Sequence, residues 1–92
     1  MTDPVSRQML IVNEKGLHAR AAAKLVEVAE GFDASAEVSL DGESSGADSI
    51  MGLLMLAASK GKTIDVRARG ADAEALLDAI EALVADRFGE DM

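Results

Sequence analysis

Two periods of apolar residues run through this chain, one of two positions and one of three to four, and together they divide it into strands and helices. Gln8 to Val12 is a short β-branched and aliphatic stretch that stops at the polar, glycine-containing cluster Asn13-Glu14-Lys15-Gly16, which predicts a strand and then a loop. From Ala19 to Glu30 the residues Ala22, Leu25, Val26 and Ala29 fall at i, i+3, i+4 and i+7, the stripe of an amphipathic helix, with Gly31 as its stop. Ala36, Val38 and Leu40 alternate with Glu37 and Ser39, so 36–40 reads as a strand with one buried face. Asp41-Gly42 then signals a two-residue hairpin, and Glu43 to Ser45 the short return strand. Ser49 precedes a second helical stretch, Ile50 to Ser59, closed near Gly61, and its hydroxyl is placed to cap the first-turn amides.

Lys62 to Arg69 alternates again through Ile64, Val66 and Ala68. After Gly70, the acidic Asp72 and Glu74 suit a helix start, and Leu76, Leu77, Ile80, Leu83 and Val84 trace an apolar face as far as Arg87. The ends, residues 1–6 and 89–92, read as frayed. The predicted order is β-α-β-β-α-β-α without repeats, and the simplest packing lays three helices on one face of a four-stranded, mainly antiparallel sheet. The expected class is therefore α+β, an open-faced two-layer sandwich in a single domain, 1–92.

Composition narrows the function more than the fold. The absence of cysteine excludes disulfides and thiolate metal sites, and one histidine among scattered carboxylates forms no metal-ligand cluster, so no metal site is expected. A net charge of −8 with dispersed Lys and Arg argues against nucleic acid as a partner. No run approaches the ~20 apolar residues of a membrane span, and the polar N-terminus lacks the apolar stretch of a signal peptide, which implies a cytoplasmic protein without a membrane role. The core has to be aliphatic, because Phe32 and Phe88 are the only aromatic residues.

His18 falls where the glycine-containing loop turns into the first helix. First-turn amides lack intrahelical partners and carry the positive end of the helix dipole, so Ala19 and Arg20 could cradle a phosphoryl group on the histidine. A neutral ring nitrogen can attack phosphorus, and Arg20 is near enough to screen the incoming charge. On spacing alone the commoner reading of such a pair is an exposed cap-region histidine beside a solvated arginine.

Resemblance changes that balance. Gly16-Leu17-His18-Ala19-Arg20, followed by Ala21-Ala22-Ala23-Lys24-Leu25-Val26, closely resembles the active-site segment of the HPr family, the histidine phosphocarriers of the bacterial phosphotransferase system. The likeness continues in Ser49-Ile50-Met51-Gly52-Leu53-Leu54-Met55-Leu56, similar to the family's regulatory-serine helix, and covers nearly the whole chain. It implies the open-faced sandwich already expected. It also implies phosphorylation of His18 on Nδ1 by Enzyme I, with Arg20 attending the phosphoryl group and a histidine of an Enzyme IIA as recipient. The family commonly has proline after the arginine where this chain has Ala21; alanine is the better helix former, so the chemistry is little affected.

For Ser49 the resemblance implies phosphorylation by an HPr kinase/phosphorylase, against the plainer reading of a bare helix cap. The following helix is apolar almost all round, more than one buried face requires. Leu53 and Leu56 are the expected core residues, while Ile50, Met51, Leu54 and Met55 are candidates for a partner-docking patch beside His18. Two branches fit: Leu54 to Gly61 and Arg87 to Asp91 look like the nitrogen-related relay, whereas Ser-Ile-Met-Gly looks like the sugar-uptake branch. The regulatory relay is favoured, with a monomeric carrier as the expected state. A non-carrier binding module switched only at Ser49 is the alternative from another class, and His18 with Arg20 argues against it. A hydrolase is a third class, but a single histidine without a Gly-x-Ser-x-Gly elbow gives no triad.

Overall fold

In the computed structural model, which describes residues 3–92, the two periods become β1 (Val5–Leu10), α1 (Ala19–Glu30), β2 (Ser35–Leu40), β3 (Glu43–Gly46), α2 (Ile50–Met55), β4 (Thr63–Arg69) and α3 (Ala73–Ala85), followed by a tight turn at Arg87–Gly89. The strands lie in the order β1-β4-β2-β3 and every neighbouring pair is antiparallel. The predicted element order and the open-faced sandwich of three helices on a four-stranded sheet are what the chain adopts.

Period-two alternation decides which strand residues meet the helices. Val38 and Leu40 of β2 and Ile64, Val66 and Ala68 of β4 are buried, and Met9 of β1 joins them. From the helices come Ala21, Ala22, Leu25, Leu53, Leu76, Leu77, Ile80 and Val84. Full burial of a Val, Leu, Ile or Met side chain among these contributes about 1.5–3 kcal/mol. The opposite face of the sheet is left uncovered, with Ser6, Gln8 and Leu10 of β1 and Arg67 and Arg69 of β4 exposed on it. At the β2–β3 hairpin Asp41 and Gly42 both take positive φ, 52° and 86°, as a two-residue turn between twisted strands requires.

Several boundaries differ from the sequence reading. The first strand covers Val5–Leu10 rather than Gln8–Val12, so Val5 and Ser6 are not frayed; they pair with Ala68 and Arg67 of β4. Met1 and Thr2, the start of the segment read as frayed, lie outside the described residues. The polar Ser6-Arg7-Gln8 hides the alternation, because Arg7 turns inward to donate to Asp78 and Glu81 of α3 at 2.8 and 3.1 Å. Helix α2 ends at Met55, not Ser59, since Ala57 enters the left-handed region at φ 53° and the chain turns to bury Ala58. Helix α3 ends at Ala85 instead of Arg87. The C-terminal residues read as a frayed tail are instead bonded to the rest of the molecule, as described next.

Candidate functional site

Leaving β1, the chain passes the loop after α2 at close range. Gly61 donates its amide to Ile11 at 2.8 Å and Ile11 donates to Lys62 at 2.9 Å. Gly16 then sits at φ 62° directly against Ala58, where a Cβ would overlap the Ala58 carbonyl oxygen, so only glycine fits. The next amide, Leu17, donates to that carbonyl at 2.8 Å and the Leu17 side chain is buried. His18 is therefore set down at a fixed point as the N-cap of α1, with extended backbone at φ −80°, ψ −177°.

The His18 side chain makes no bond to its own helix. Among the described residues, the amides of Ala19, Arg20 and Ala21 find no acceptor; the first amide to do so, Ala22, donates to the His18 carbonyl at 2.8 Å. The imidazole turns the other way, and Nε2 forms a hydrogen bond with Glu90 Oε2. Nδ1 has no protein partner among the described residues. The other carboxylate oxygen of Glu90 accepts from Asn13 Nδ2 at 2.8 Å, and the same Nδ2 donates to the Gly16 carbonyl at 2.8 Å. Asn13 is fully buried, and its Oδ1 has no partner among the described residues. Both neighbours of Nδ2 are acceptors, which fixes the orientation of the amide. These bonds hold the Glu90 carboxyl below the usual carboxylate range, the Asn13 hydrogen bond first and His18 second, with Lys15 adding a smaller attraction.

Glu90 arrives there because the chain reverses sharply after α3. Arg87 and Phe88 take positive φ, 57° and 54°, uncommon for residues other than glycine, and Gly89 follows at 80°. Phe88 is fully buried, and Lys24 of α1 donates to its carbonyl at 2.6 Å. The expected fraying of 89–92 is thus corrected: Glu90 is bonded as described, and the Glu14 amide donates to the Met92 carbonyl at 3.1 Å.

Of the residues singled out in the sequence, Arg20 is exposed in the first turn of α1 and forms no ion pair among the described residues. Ser49 caps α2, its hydroxyl accepting from the Gly52 amide at 3.0 Å. Ile50, Met51 and Met55 are exposed, Met51 and Met55 at 70% and 78%, whereas Leu53 and Leu56 are core residues. Leu54 is half-buried and joins Lys15, Leu17, His18, Ala57, Ala58 and Ser59 around an open depression of about 280 Å³. Two larger cavities, about 490 and 670 Å³, lie beside Phe32 and Arg69 and share no residue with it.

Sequence reasoning missed Asn13 and Glu90. Asn13 reads as a turn residue and Glu90 as a solvated tail carboxylate. The one available signal is Phe88, an aromatic residue near the end of a chain that has only two.

The family model described as "PTS HPr component phosphorylation site" matches residues 5–86. The phosphocarrier protein HPr of Cupriavidus necator is 44% identical over 86 residues, which is 94% of this chain and 97% of that protein. The phosphocarrier protein NPr of Shewanella violacea is 48% identical over 86 residues, 94% of each chain. Among solved structures, HPr-C-His from Thermoanaerobacter tengcongensis superposes with a TM-score of 0.90 at 35% identity, covering 96% of this chain and 99% of the other.

Proposed function

This chain belongs to the HPr family of phosphotransferase-system proteins, which are phosphocarriers and not enzymes, and from that premise we propose that His18 accepts a phosphoryl group from phospho-Enzyme I on Nδ1 and passes it to an Enzyme IIA in a regulatory, nitrogen-type relay. The observation that carries this reading is the open N-terminus of α1. Among the described residues, three amides without acceptors stand beside an imidazole whose Nδ1 is unpartnered, and Arg20 is exposed and unpaired in the same turn.

The chemistry follows from elementary requirements. The Nδ1 lone pair attacks phosphorus, the donor's P–N bond breaks, and the electron pair returns to the donor's ring. Three negatively charged phosphoryl oxygens then lie against the amides of Ala19 and Arg20, where the helix dipole favours them, with the Arg20 guanidinium to share their charge. The reverse sequence delivers the group to the Enzyme IIA histidine. The carrier needs no metal or cofactor of its own for either step.

Ile50, Met51, Leu54 and Met55 are the proposed docking residues, since a small carrier that works as a cytoplasmic monomer must present one face to successive partners. Phosphorylation of Ser49 by an HPr kinase/phosphorylase is the proposed control, placing about −1.5 to −2 charges at the edge of that face. The sugar-uptake branch is the second reading, supported by a relative named HPr standing close in identity to one named NPr.

The test is incubation with phosphoenolpyruvate and Enzyme I, beside His18→Ala, followed by intact mass. Wild type should gain one acid-labile phosphate and the variant none; an unlabelled wild type would overturn the carrier reading. Offering the phosphorylated protein to a nitrogen-type and to a sugar-type Enzyme IIA then separates the branches, the faster acceptor naming the relay.

A further inference from the structure

The hydrogen bond between Glu90 and Nε2 gives the C-terminal segment a part in the chemistry. We infer that Glu90 is a positioning residue that holds the Nε2 proton of His18 through the whole phosphoryl cycle, so that Nδ1 takes up and releases the phosphoryl group with no proton entering or leaving the ring. This deepens the carrier reading and rests on it.

Three observations support the inference. Glu90 is not a passing contact, because its second oxygen is held by Asn13 Nδ2 at 2.8 Å, and Asn13 is fully buried with its other Nδ2 hydrogen committed to Gly16 at 2.8 Å. The backbone that delivers Glu90 is fixed as well. Its left-handed turn at Arg87 and Phe88 is held by the buried phenyl ring, by the Lys24 bond to the Phe88 carbonyl, and by the Glu90 amide bonding Arg87 at 2.9 Å. Backbone kept in a sparsely populated region by so many contacts is a feature expected near functional sites. Finally, an ionised carboxylate can only accept, so the shared proton sits on Nε2, and of the two neutral tautomers the contact selects the one whose lone pair is on Nδ1.

Proton and electron accounting then closes. The form of the ring that can react is the neutral tautomer protonated at Nε2, the one the Glu90 contact selects. Attack by the Nδ1 lone pair forms the N–P bond and makes the ring an Nδ1-phosphoimidazolium, whose extra positive charge lies beside the Glu90 carboxylate. When the N–P bond breaks toward the acceptor histidine, the electron pair returns to Nδ1 and the leaving group is again the neutral tautomer. Were Nε2 to lose its proton in between, the leaving group would be an imidazolate, a far poorer one. A carboxylate fixed at Nε2 opposes that loss. Of the charged groups nearby, Lys15 in the loop attracts Glu90, Lys24 of α1 bonds the Phe88 carbonyl and Arg20 is exposed in the first turn of α1, and all three remain when only Glu90 is changed.

Glu90→Gln removes the charge and keeps the size and a hydrogen-bonding head. In protein labelled with nitrogen-15 in histidine, the unmodified wild type should show one tautomer, protonated at Nε2, and the variant a mixture. After phosphorylation by Enzyme I, the midpoint at which Nε2 loses its proton should fall by about one pH unit or more in the variant. Above both midpoints its transfer rate to Enzyme IIA should be about tenfold lower for each pH unit by which the midpoint has fallen. Glu90→Asp, which keeps the charge, should move the midpoint less. An unchanged tautomer spectrum together with an unchanged midpoint overturns the inference. If Enzyme I does not phosphorylate wild type at all, the carrier reading is what fails, and the spectrum of the unmodified ring still decides whether Glu90 sets the tautomer.

Discussion

Helices α1 and α2 begin with the same backbone device and use it oppositely. His18 and Ser49 are both extended N-cap residues, at φ −80° and −119°. The Ser49 hydroxyl is spent on the Gly52 amide, whereas the His18 ring turns away from its helix to Glu90 and leaves three amides without acceptors among the described residues. Length and burial explain which helix can forgo a cap. The twelve residues of α1 bury Ala21, Ala22 and Leu25, while the six of α2 bury only Leu53, so α2 depends more on local bonds. A helix start stabilised from within offers little to an anion. One held by tertiary packing keeps its amides for a phosphoryl group.

Exchanging the devices should give the largest effect. His18→Ser turns the open end into a capped one, so phosphorylation by Enzyme I should vanish while stability holds or rises by about 0.5–2 kcal/mol, checked by intact mass and urea unfolding. Retained acid-labile phosphate in this variant would break the comparison. Next comes the tertiary support of the open end. Phe88→Ala should cost about 3–5 kcal/mol in urea unfolding and free Glu90 from His18, whereas a loss below about 1 kcal/mol would mean the tail is not anchored by its ring.

Met51→Asp asks whether the surface of α2 serves partners, since that side chain is 70% exposed. Transfer should slow by roughly tenfold or more with an unchanged melting temperature; unfolding would place Met51 in the core instead. Ser49→Ala removes the spent cap, leaving the Gly52 amide without its acceptor. It should cost about 1 kcal/mol and leave His18 phosphorylation intact. The smallest effect concerns acid. Glu90 has its carboxyl lowered by Asn13 and His18, so its contribution to stability is complete above the ordinary glutamate value of about 4.3 and disappears as pH falls through the lowered one. Glu90→Gln should therefore flatten the loss of stability over that acidic window, and a pH profile of urea unfolding checks it.

The cap residues themselves were legible in the sequence, because a cap is a relation between neighbours. Ser49 before an apolar run and His18 after Gly16 needed no tertiary information, and the likeness of Gly16 to Val26 to the HPr family made the chemistry of the histidine readable as well. Helix α2 is apolar almost all round, so an excess over one buried face was legible, and the structure buries Leu53 and Leu56 and exposes Met51 and Met55 as expected. Boundaries failed where a local pattern was overruled from afar. Ser6-Arg7 looks like a polar start, yet β4 supplies ladder partners and α3 supplies carboxylates for the guanidinium. Ile50 to Ser59 carries one helical pattern, yet the chain leaves the helix after Met55, turns through Ala57 and brings Ala58 against Gly16.

What the sequence by itself determined is the element order, the sheet face that is buried, and the two helix starts where a side chain and free amides meet, since each depends on periodicity or on residues within one turn. Only the tertiary structure decided where the imidazole points. Its partner is 72 residues away, and Glu90 reaches Nε2 because a buried phenyl ring and a buried asparagine hold a left-handed turn that the local sequence alone does not favour.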